Sequence, residues 1–178
     1  MNKALFLDRD GVINKEINYL HKVEDVEFLP GIFEISRLFL DKGYRIFIVT
    51  NQAGIARGYY SEADFRELTD WMVQEFKNRD IEITKVYYCP FHPTEGVGHY
   101  KMDSYDRKPH PGMLFKARDE FDLNLQSSFL IGDKESDIEA GVNAGVGTTI
   151  LLTTARDLKT QADRVVPDLS HLGKLLKL

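Results

Sequence analysis

Two aspartates one residue apart, Asp8 and Asp10, directly follow an apolar run at residues 4–7. Such a run is typical of a buried strand, on which alternate side chains share a face. Two carboxylates held close together repel each other unless a cation or a proton intervenes. The pair therefore suits a Mg²⁺ site in which one carboxylate attacks phosphorus and the other transfers a proton. The pattern D-x-D-G also fits a plain polar turn at the end of a strand. Other parts of the sequence are therefore needed to distinguish a catalytic site from such a turn.

Polar residues also follow two later apolar runs, Thr50 and Asn51 after the first and Asp133 after the second. Lys108 lies just before a helix expected to begin at Pro111, in a loop that returns to the same edge. In an open parallel sheet, ligands bind beyond the carboxyl ends of the strands. Phosphoryl transfer depends on charge neutralisation and in-line positioning, which these carboxylates, hydroxyl, amide and ammonium groups provide. Their convergence favours a phosphoryl-transfer site over a set of unrelated turns.

Strands and helices alternate along the chain. Apolar runs predict strands at residues 4–7, 44–49, 86–89, 129–131 and 149–152, with a short sixth strand near Val165. Helical spacing predicts helices after Pro30, after a capping box formed by Ser61 and Asp64, after Pro111, around Ile138, and at the C-terminal end as far as Leu176. We therefore predict a three-layer, Rossmann-like α/β fold, with a mainly parallel sheet and helices on both faces.

Two long loops, at residues 11–29 and 89–108, interrupt this alternation. Each is too short to form an independent core, so we expect no cap domain and an open site with the two loops at its rim. A chain of 178 residues with 43% hydrophobic and 29% charged residues is expected to form a single domain over residues 1–178.

The composition also limits the possible partners and the compartment. A net charge of −5 and the lack of a basic stripe argue against a nucleic-acid partner. No apolar run is long enough for a signal peptide or a membrane span, so we expect no membrane association. The single cysteine, Cys89, fits a reducing compartment, and we expect a cytoplasmic monomer.

The chain resembles the haloacid-dehalogenase-like phosphatases in four motifs. The matching residues are Asp8, Arg9, Asp10 and Gly11, then Thr50 and Asn51, then Lys108, and last Gly132, Asp133 and Asp137. Two longer strings, V-T-N-Q-A-G-I-A-R-G at residues 49–58 and R-K-P-H-P-G-M at residues 107–113, are similar to those of the D-glycero-D-manno-heptose 1,7-bisphosphate 7-phosphatase family. The histidinol-phosphate phosphatases are close relatives of that family. The match extends from about residue 5 to beyond residue 152.

This resemblance implies Mg²⁺-dependent hydrolysis of the C7 phosphate of the heptose bisphosphate through an aspartyl-phosphate. By the same resemblance, the reaction is expected to belong to the biosynthesis of nucleotide-activated heptose for lipopolysaccharide. Histidinol phosphate or another small sugar phosphate is the alternative substrate. Outside enzymes, a receiver-like phospho-signalling domain also combines an aspartate cluster, a threonine and a lysine on a parallel sheet. Asp10 disfavours that alternative, because an acid two residues after the nucleophile promotes turnover.

The resemblance also implies a role for each residue of the motifs. Asp8 is the nucleophile, and Asp10 protonates the departing sugar oxygen and then deprotonates the attacking water. Mg²⁺ is held by Asp8, by the backbone carbonyl of Asp10 and by Asp133. Thr50 donates to a phosphate oxygen, and Lys108 offsets negative charge.

Two further residues of the motifs are expected to have supporting roles. Asp137 follows Asp133 by one helical turn, so we expect it to orient Lys108 or a metal-bound water rather than to bind metal. Arg9 is expected to point away from the two acids and to tie down the catalytic loop.

Substrate recognition is expected from both loops and from the end of the second strand. By the resemblance, the sugar contacts are Glu16, Ile17, Asn18, Tyr19, Asn51, Gln52 and Ala53. Arg107 and Lys134 bind the phosphates, since arginine can grip a phosphate with two hydrogen bonds. Two simpler alternatives stay open: Tyr19 could only cover apolar surface, and Arg57 could be a plain surface cation.

Many relatives hold a structural zinc in the loop after the third strand, with ligands in the patterns C-x-H and C-x-C. In this chain residues 89–91 read C-P-F and residues 104–106 read S-Y-D, so only Cys89 remains of the four ligands. We therefore expect no structural zinc. The histidines that could build a substitute site with Cys89 are His92, His99 and His110, and their spacing is unfamiliar. Aromatic packing is expected to order this loop instead, through Phe91, Tyr100 and Tyr105.

Overall fold

The structure is a computed structural model that describes residues 1–176. Its strands are β1 (Lys3–Leu7), β2 (Tyr44–Asn51), β3 (Ile83–Cys89), β4 (Phe129–Gly132), β5 (Thr148–Leu152) and β6 (Arg164–Val166). Its helices are α1 (Ile32–Asp41), α2 (Ala53–Ala56), α3 (Glu62–Lys77), α4 (Gly112–Phe121), α5 (Glu135–Ala144) and α6 (Leu169–Leu176). The strands form one sheet in the order β3-β2-β1-β4-β5-β6, and every neighbouring pair is parallel. The predicted α/β fold is confirmed.

The sheet is buried on both faces, as a parallel sheet with helices on either side should be. Along the central strand β1, Leu5 and Leu7 face a core layer that includes apolar side chains of α1, α3 and α6. Ala4 and Phe6, which alternate with them, face a second layer with side chains of α4 and α5. This double burial explains why β1 is a continuous apolar run that stops where the chain reaches the open edge.

Most predicted elements are present, and the differences have local causes. The capping box at the start of α3 is formed, with the Asp64 amide donating to Ser61 Oγ at 3.1 Å and the Ser61 amide donating to Asp64 Oδ2 at 2.7 Å. The prediction that β3 begins at Val86 is wrong, because the strand already begins at Ile83 and the half-exposed Lys85 hides the apolar pattern. The short helix α2 was not predicted.

The two long loops contain no helix or strand beyond single turns. These are the 3₁₀ turns Val23–Asp25 and Gly98–Tyr100, together with isolated bridges. The site is therefore not covered by a cap domain in the part of the chain that the structure describes. Among residues 1–176, no helix is both long enough and apolar enough to cross a bilayer.

Candidate active site

The ammonium group of Lys108 lies at the centre of the polar edge. Its Nζ is 2.8 Å from Asp8 Oδ1, 2.6 Å from Asp137 Oδ1 and 2.8 Å from the carbonyl oxygen of Val49. Only 4% of Lys108 is exposed. Burial disfavours its charged form, but the carboxylates of Asp137 and Asp8 outweigh that effect and raise the pKa of Lys108. The expected contact between Asp137 and Lys108 is thus present, and the lysine stays protonated.

Asn51 fixes the backbone of Lys108 from the end of β2. Its Oδ1 accepts a hydrogen bond from the Lys108 amide at 3.0 Å, and its Nδ2 donates to the Lys108 carbonyl at 3.0 Å. Both ends of the Asn51 amide are used in this way. The sequence predicts that this side chain contacts the sugar, and such a contact would have to compete with its two hydrogen bonds to the Lys108 backbone.

Three carboxylates, of Asp8, Asp133 and Asp137, form a cluster whose ligand oxygens lie within 4.8 Å of one another. One ammonium group against three carboxylates leaves two negative charges uncompensated when all are ionised. Burial and the neighbouring Asp137 raise the pKa of Asp8 well above its usual range. Burial and Asp137 likewise raise the pKa of Asp133 to about 6. A divalent cation would relieve this repulsion.

The hydrogen bonds indicate which of the three carboxylates can bind a cation. Asp137 uses Oδ1 for Lys108, and its Oδ2 accepts from the backbone amides of Asp133 at 3.1 Å and Lys134 at 3.0 Å. In contrast, Asp133 Oδ1 is buried with no hydrogen-bond partner. Asp8 and Asp133 therefore fit Mg²⁺, which prefers oxygen ligands, while Asp137 supports the site from behind.

Gly11 provides the space that Asp133 needs. Its φ is +89°, and a Cβ atom there would lie 2.1 Å from Asp133 Oδ2. A side chain at this position would strain the backbone and displace the carboxylate. This explains why glycine follows the two aspartates.

The carboxylate of Asp10 lies outside that cluster and is held by three neighbouring side chains. Arg9 Nη2 and Asn14 Nδ2 each donate to Asp10 Oδ1 at 3.0 Å, and Gln52 Nε2 donates to Asp10 Oδ2 at 3.2 Å. The expectation that Arg9 points away from both acids is wrong. Because β1 ends at Leu7, strand alternation no longer applies at Arg9, whose buried guanidinium pairs with Asp10.

Arg9 nevertheless ties down the catalytic loop, as expected. Its Nη2 also donates to the carbonyl oxygen of Leu20 at 3.0 Å, across eleven residues of sequence. One buried arginine thus fixes both the Asp10 carboxylate and the first long loop.

A cavity of about 510 Å³ opens in front of these groups. Eight of the nine predicted substrate-binding residues line it: Glu16, Asn18, Tyr19, Asn51, Gln52, Ala53, Arg107 and Lys134. Ile17 is the exception, being 42% exposed and not part of the lining. The contacts of these residues with a sugar remain predictions.

Several lining residues were not predicted as substrate contacts, among them Arg57, Tyr60 and His92. Arg57 is therefore more than a plain surface cation, although it also lies 3.5 Å from Glu95. Burial, then Arg107 and Arg57, lower the pKa of His92, so three basic side chains share one side of the rim. Arg57 belongs to the motif string at residues 49–58, and this membership could have indicated a place in the site. No sequence pattern indicated that His92 or Tyr60 would line the cavity.

Hydrogen bonds and aromatic contacts order the second long loop. Tyr88 and Tyr100 both donate to Glu62, at 2.6 and 2.8 Å, and His92 Nδ1 accepts from the backbone amide of Glu95 at 3.0 Å. The rings of Phe91 and Tyr100 lie 6.0 Å apart, while Tyr105 is mostly exposed and stacks on His110. Within residues 1–176, the Asp8 cluster is the one group of three or more metal-binding side chains. The expectation of no structural zinc stays a prediction.

Comparison with known proteins identifies the family. A family model described as HAD-hydrolase-like matches residues 105–172. A D-glycero-alpha-D-manno-heptose-1,7-bisphosphate 7-phosphatase of Burkholderia mallei is 53% identical over 167 residues, which are 93% of this chain and 88% of that protein. The D-glycero-beta-D-manno-heptose-1,7-bisphosphate 7-phosphatase of Escherichia coli K12 is 40% identical over 178 residues, 98% of this chain and 93% of that protein.

A solved structure agrees with these relatives. The D,D-heptose 1,7-bisphosphate phosphatase of B. bronchiseptica, in complex with magnesium and phosphate, superposes with a TM-score of 0.82 at 27% identity and covers 98% of each chain. Since the relatives are closely similar over nearly their whole length, the receiver-like alternative is excluded. The chain belongs to the haloacid-dehalogenase-like hydrolases, within the family of the D-glycero-D-manno-heptose-1,7-bisphosphate 7-phosphatases, and it is a phosphatase.

Proposed function

We propose that this enzyme removes the C7 phosphate from D-glycero-D-manno-heptose 1,7-bisphosphate by way of an aspartyl-phosphate on Asp8. The observation that carries the proposal is the buried ion pair of Lys108 with Asp8, next to the unpartnered carboxylate oxygen of Asp133. This arrangement provides a nucleophile, a fixed positive charge and a carboxylate oxygen without a hydrogen-bond partner, all beside the cavity. The names of the relatives support the choice of substrate.

In the first step, an Asp8 carboxylate oxygen attacks phosphorus and the bond from phosphorus to the sugar oxygen breaks. Asp10 gives its proton to the departing sugar oxygen. In the second step, Asp10 takes a proton from a water molecule, which attacks phosphorus and releases inorganic phosphate from Asp8. Lys108 neutralises charge on Asp8 and the phosphoryl group throughout, and the Thr50 hydroxyl donates to a phosphoryl oxygen.

Magnesium fits this site by the chemistry of its donors. Asp8, Asp133 and the backbone carbonyl of Asp10 would hold the ion. When bound, it supplies positive charge that offsets the carboxylates and the phosphoryl oxygens.

The basic rim of the cavity favours a second phosphate on the substrate. Burial and the nearby Arg57 lower the pKa of Arg107, so the two guanidinium groups repel each other in the absence of an anion. A phosphate bound by Arg107 would relieve this repulsion, and Lys134 lines the same cavity as a second cation for it. Histidinol phosphate carries an ammonium group instead, which these cations would repel, and we therefore rank it second.

We also infer that the enzyme works as a cytoplasmic monomer, with one domain over residues 1–178, in the biosynthesis of nucleotide-activated heptose. The chain has a single cysteine, Cys89, and therefore cannot form an internal disulfide, which suits a reducing compartment.

The test is phosphate release in the presence of Mg²⁺ from both anomers of the heptose bisphosphate, from histidinol phosphate and from para-nitrophenyl phosphate. We expect the highest kcat/KM for one anomer of the bisphosphate, with one phosphate released per molecule and the C1 phosphate retained. A higher kcat/KM for histidinol phosphate would reject the proposed substrate but keep the reaction class.

A further inference from the structure

Two buried polar side chains lie next to the reacting groups, namely Gln52, which is also a predicted sugar contact, and Tyr60. The two chemical steps described above use neither of them. Gln52 and Tyr60 are 2% and 7% exposed, respectively. The Tyr60 hydroxyl donates to Gln52 Oε1 at 2.5 Å. Gln52 Nε2 donates to Thr50 Oγ1 at 2.8 Å and to Asp10 Oδ2 at 3.2 Å. A chain of hydrogen bonds therefore connects Tyr60 to the acid–base residue.

The donors and acceptors of these side chains determine the direction of each hydrogen bond. An amide has two donors on nitrogen and an acceptor oxygen, and the two donors of Gln52 match the two acceptors on Thr50 and Asp10. If the amide were reversed, its oxygen would face the Asp10 carboxylate, and two acceptors would repel each other. The Tyr60 hydroxyl prevents this reversal, because it donates a hydrogen bond to the oxygen of Gln52. Burial raises the pKa of Tyr60, so this donor keeps its proton.

The position of Tyr60 is itself tightly determined. The ring of His21 stacks on it with centroids 5.2 Å apart and an interplanar angle of 8°. At Gly54, a Cβ atom would lie 2.1 Å from Tyr60 Cε1. The glycine of helix α2 thus leaves the space that the tyrosine ring occupies. A ring held from two sides can fix the amide next to it.

We infer that Gln52 is a positioning residue for Asp10 and that Tyr60 acts through Gln52, an inference that rests on the proposed function. Arg9 donates to both carboxylate oxygens of Asp10, Asn14 donates to Oδ1, and Gln52 donates to Oδ2. The carboxylate is thereby fixed in rotation, so that one oxygen faces the departing sugar oxygen. Proton transfer depends on such a fixed geometry.

A comparison of two leaving groups distinguishes a role of Gln52 in proton transfer from a general effect on the fold. A sugar alkoxide needs a proton to leave, whereas para-nitrophenolate leaves without one. Gln52→Met keeps the side-chain length and removes the donor to a charged acceptor. We expect it to lower the phosphorylation rate with the heptose bisphosphate about 10- to 100-fold. The burst of para-nitrophenolate should fall by less than about threefold. KM for the bisphosphate should stay within about twofold if Gln52 positions Asp10, whereas a large rise in KM would support the predicted sugar contact instead.

A double-mutant cycle tests the connection from Tyr60 to Gln52. Tyr60→Phe removes one hydroxyl, and we expect about a two- to tenfold loss of kcat on the bisphosphate. In the Gln52→Met background the same substitution should cause no further loss. Tyr87→Phe is the matched control, because it also removes a hydroxyl bonded to a carboxylate, that of Glu120 at 2.6 Å, but outside the cavity. Its kcat should equal that of the wild type.

The outcomes distinguish this inference from the proposed function. If the wild type releases no phosphate from any of the substrates with Mg²⁺, both are rejected. If the wild type is active, equal losses on the two leaving groups reject the role of Gln52. A Tyr60→Phe loss that persists unchanged without Gln52 rejects the connection. Thermal unfolding of every variant identifies a loss that merely reflects an unstable fold.

Discussion

Replacing Asp133 by Asn should stabilise the metal-free protein and abolish its stabilisation by Mg²⁺. The reason is the crowding of carboxylates that raises the pKa of Asp133 from 3.8 to about 6. At pH 7.5 the folded protein then holds an ionised group that its surroundings disfavour. An amide of nearly the same size removes the charge and one metal ligand together.

The magnitude follows from linkage. A shift of one pKa unit corresponds to about 1.36 kcal/mol, so the shift of Asp133 represents up to about 3 kcal/mol, and partial exposure reduces this to about 1–3 kcal/mol. The folded-state pKa is higher than the unfolded one. The protonated form of Asp133 therefore stabilises the fold fully below about pH 3.8, and this stabilisation is lost as the pH rises through about 6. For a chain of this size, 1–3 kcal/mol corresponds to about 2–12 °C in Tm.

Thermal unfolding at pH 7.5 and pH 5, with EDTA or with Mg²⁺, measures both effects. At pH 7.5 in EDTA, Asp133→Asn should unfold at a higher temperature than the wild type, and the difference should shrink at pH 5. Mg²⁺ should raise the Tm of the wild type more at pH 7.5 than at pH 5, and should not change that of the variant. Asp64→Asn is the control, and its Tm should fall instead of rise. Hydrogen bonds from Ser61 lower the pKa of Asp64, so the ionised form of this carboxylate stabilises the fold.

A lower Tm for Asp133→Asn in EDTA at pH 7.5 would refute the idea that this carboxylate is destabilising without metal. A full Mg²⁺ shift in the variant would refute its assignment as a ligand. In either case the charge argument for the metal site would fail.

The remaining predictions concern activity and metal content. Asp8→Asn should abolish hydrolysis while far-UV circular dichroism shows an intact fold, and Asp10→Asn should lower kcat about 10²- to 10⁴-fold with little change in KM. Arg107→Ala should reduce kcat/KM far more for the bisphosphate than for para-nitrophenyl phosphate, whereas the exposed Arg118→Ala should change neither. Elemental analysis of protein purified without added metal should find no stoichiometric zinc, and Mg²⁺ should restore all activity lost to chelators.

For each of these predictions, a specific result would contradict it. Hydrolysis by folded Asp8→Asn protein, or an unchanged kcat in Asp10→Asn, would remove those residues from their roles. Equal losses on both substrates in Arg107→Ala would indicate a general structural role for that arginine. One tightly bound zinc per chain would show that the second long loop has a metal site after all.

The sequence was sufficient to predict the sheet and its polar edge, because buried parallel strands are continuous apolar runs and their carboxyl ends meet at one edge. Thus Asp8, Thr50 and Asp133 could be placed at that edge from strand ends alone. The start of β3 could not be predicted, since an exposed lysine breaks its pattern. Helix α2 is a single turn, too short to show a helical period.

The contacts that fix the orientation of the active-site groups could not be predicted, because they depend on how loops fold back. Asn51 binds the backbone of Lys108, which is 57 residues away in sequence. Arg9 turns towards Asp10 only because the strand has already ended at that point. The hydrogen bond from Tyr60 to Gln52 requires the turn of helix α2 between them. Local patterns identify the residues, but the path of the loops decides what they touch.

Trapping the aspartyl-phosphate tests the central claim most directly. Asp10→Asn protein should be mixed with para-nitrophenyl phosphate and Mg²⁺, because this leaving group needs no acid while the attacking water still lacks its base. After acid quench and borohydride reduction, mass spectrometry of the peptides locates any phosphorylated carboxylate. We predict near-stoichiometric modification at Asp8, and none when Asp8 is also replaced by Asn. An unmodified Asp8 after a full burst of para-nitrophenolate, or modification of another residue, would contradict the proposed mechanism.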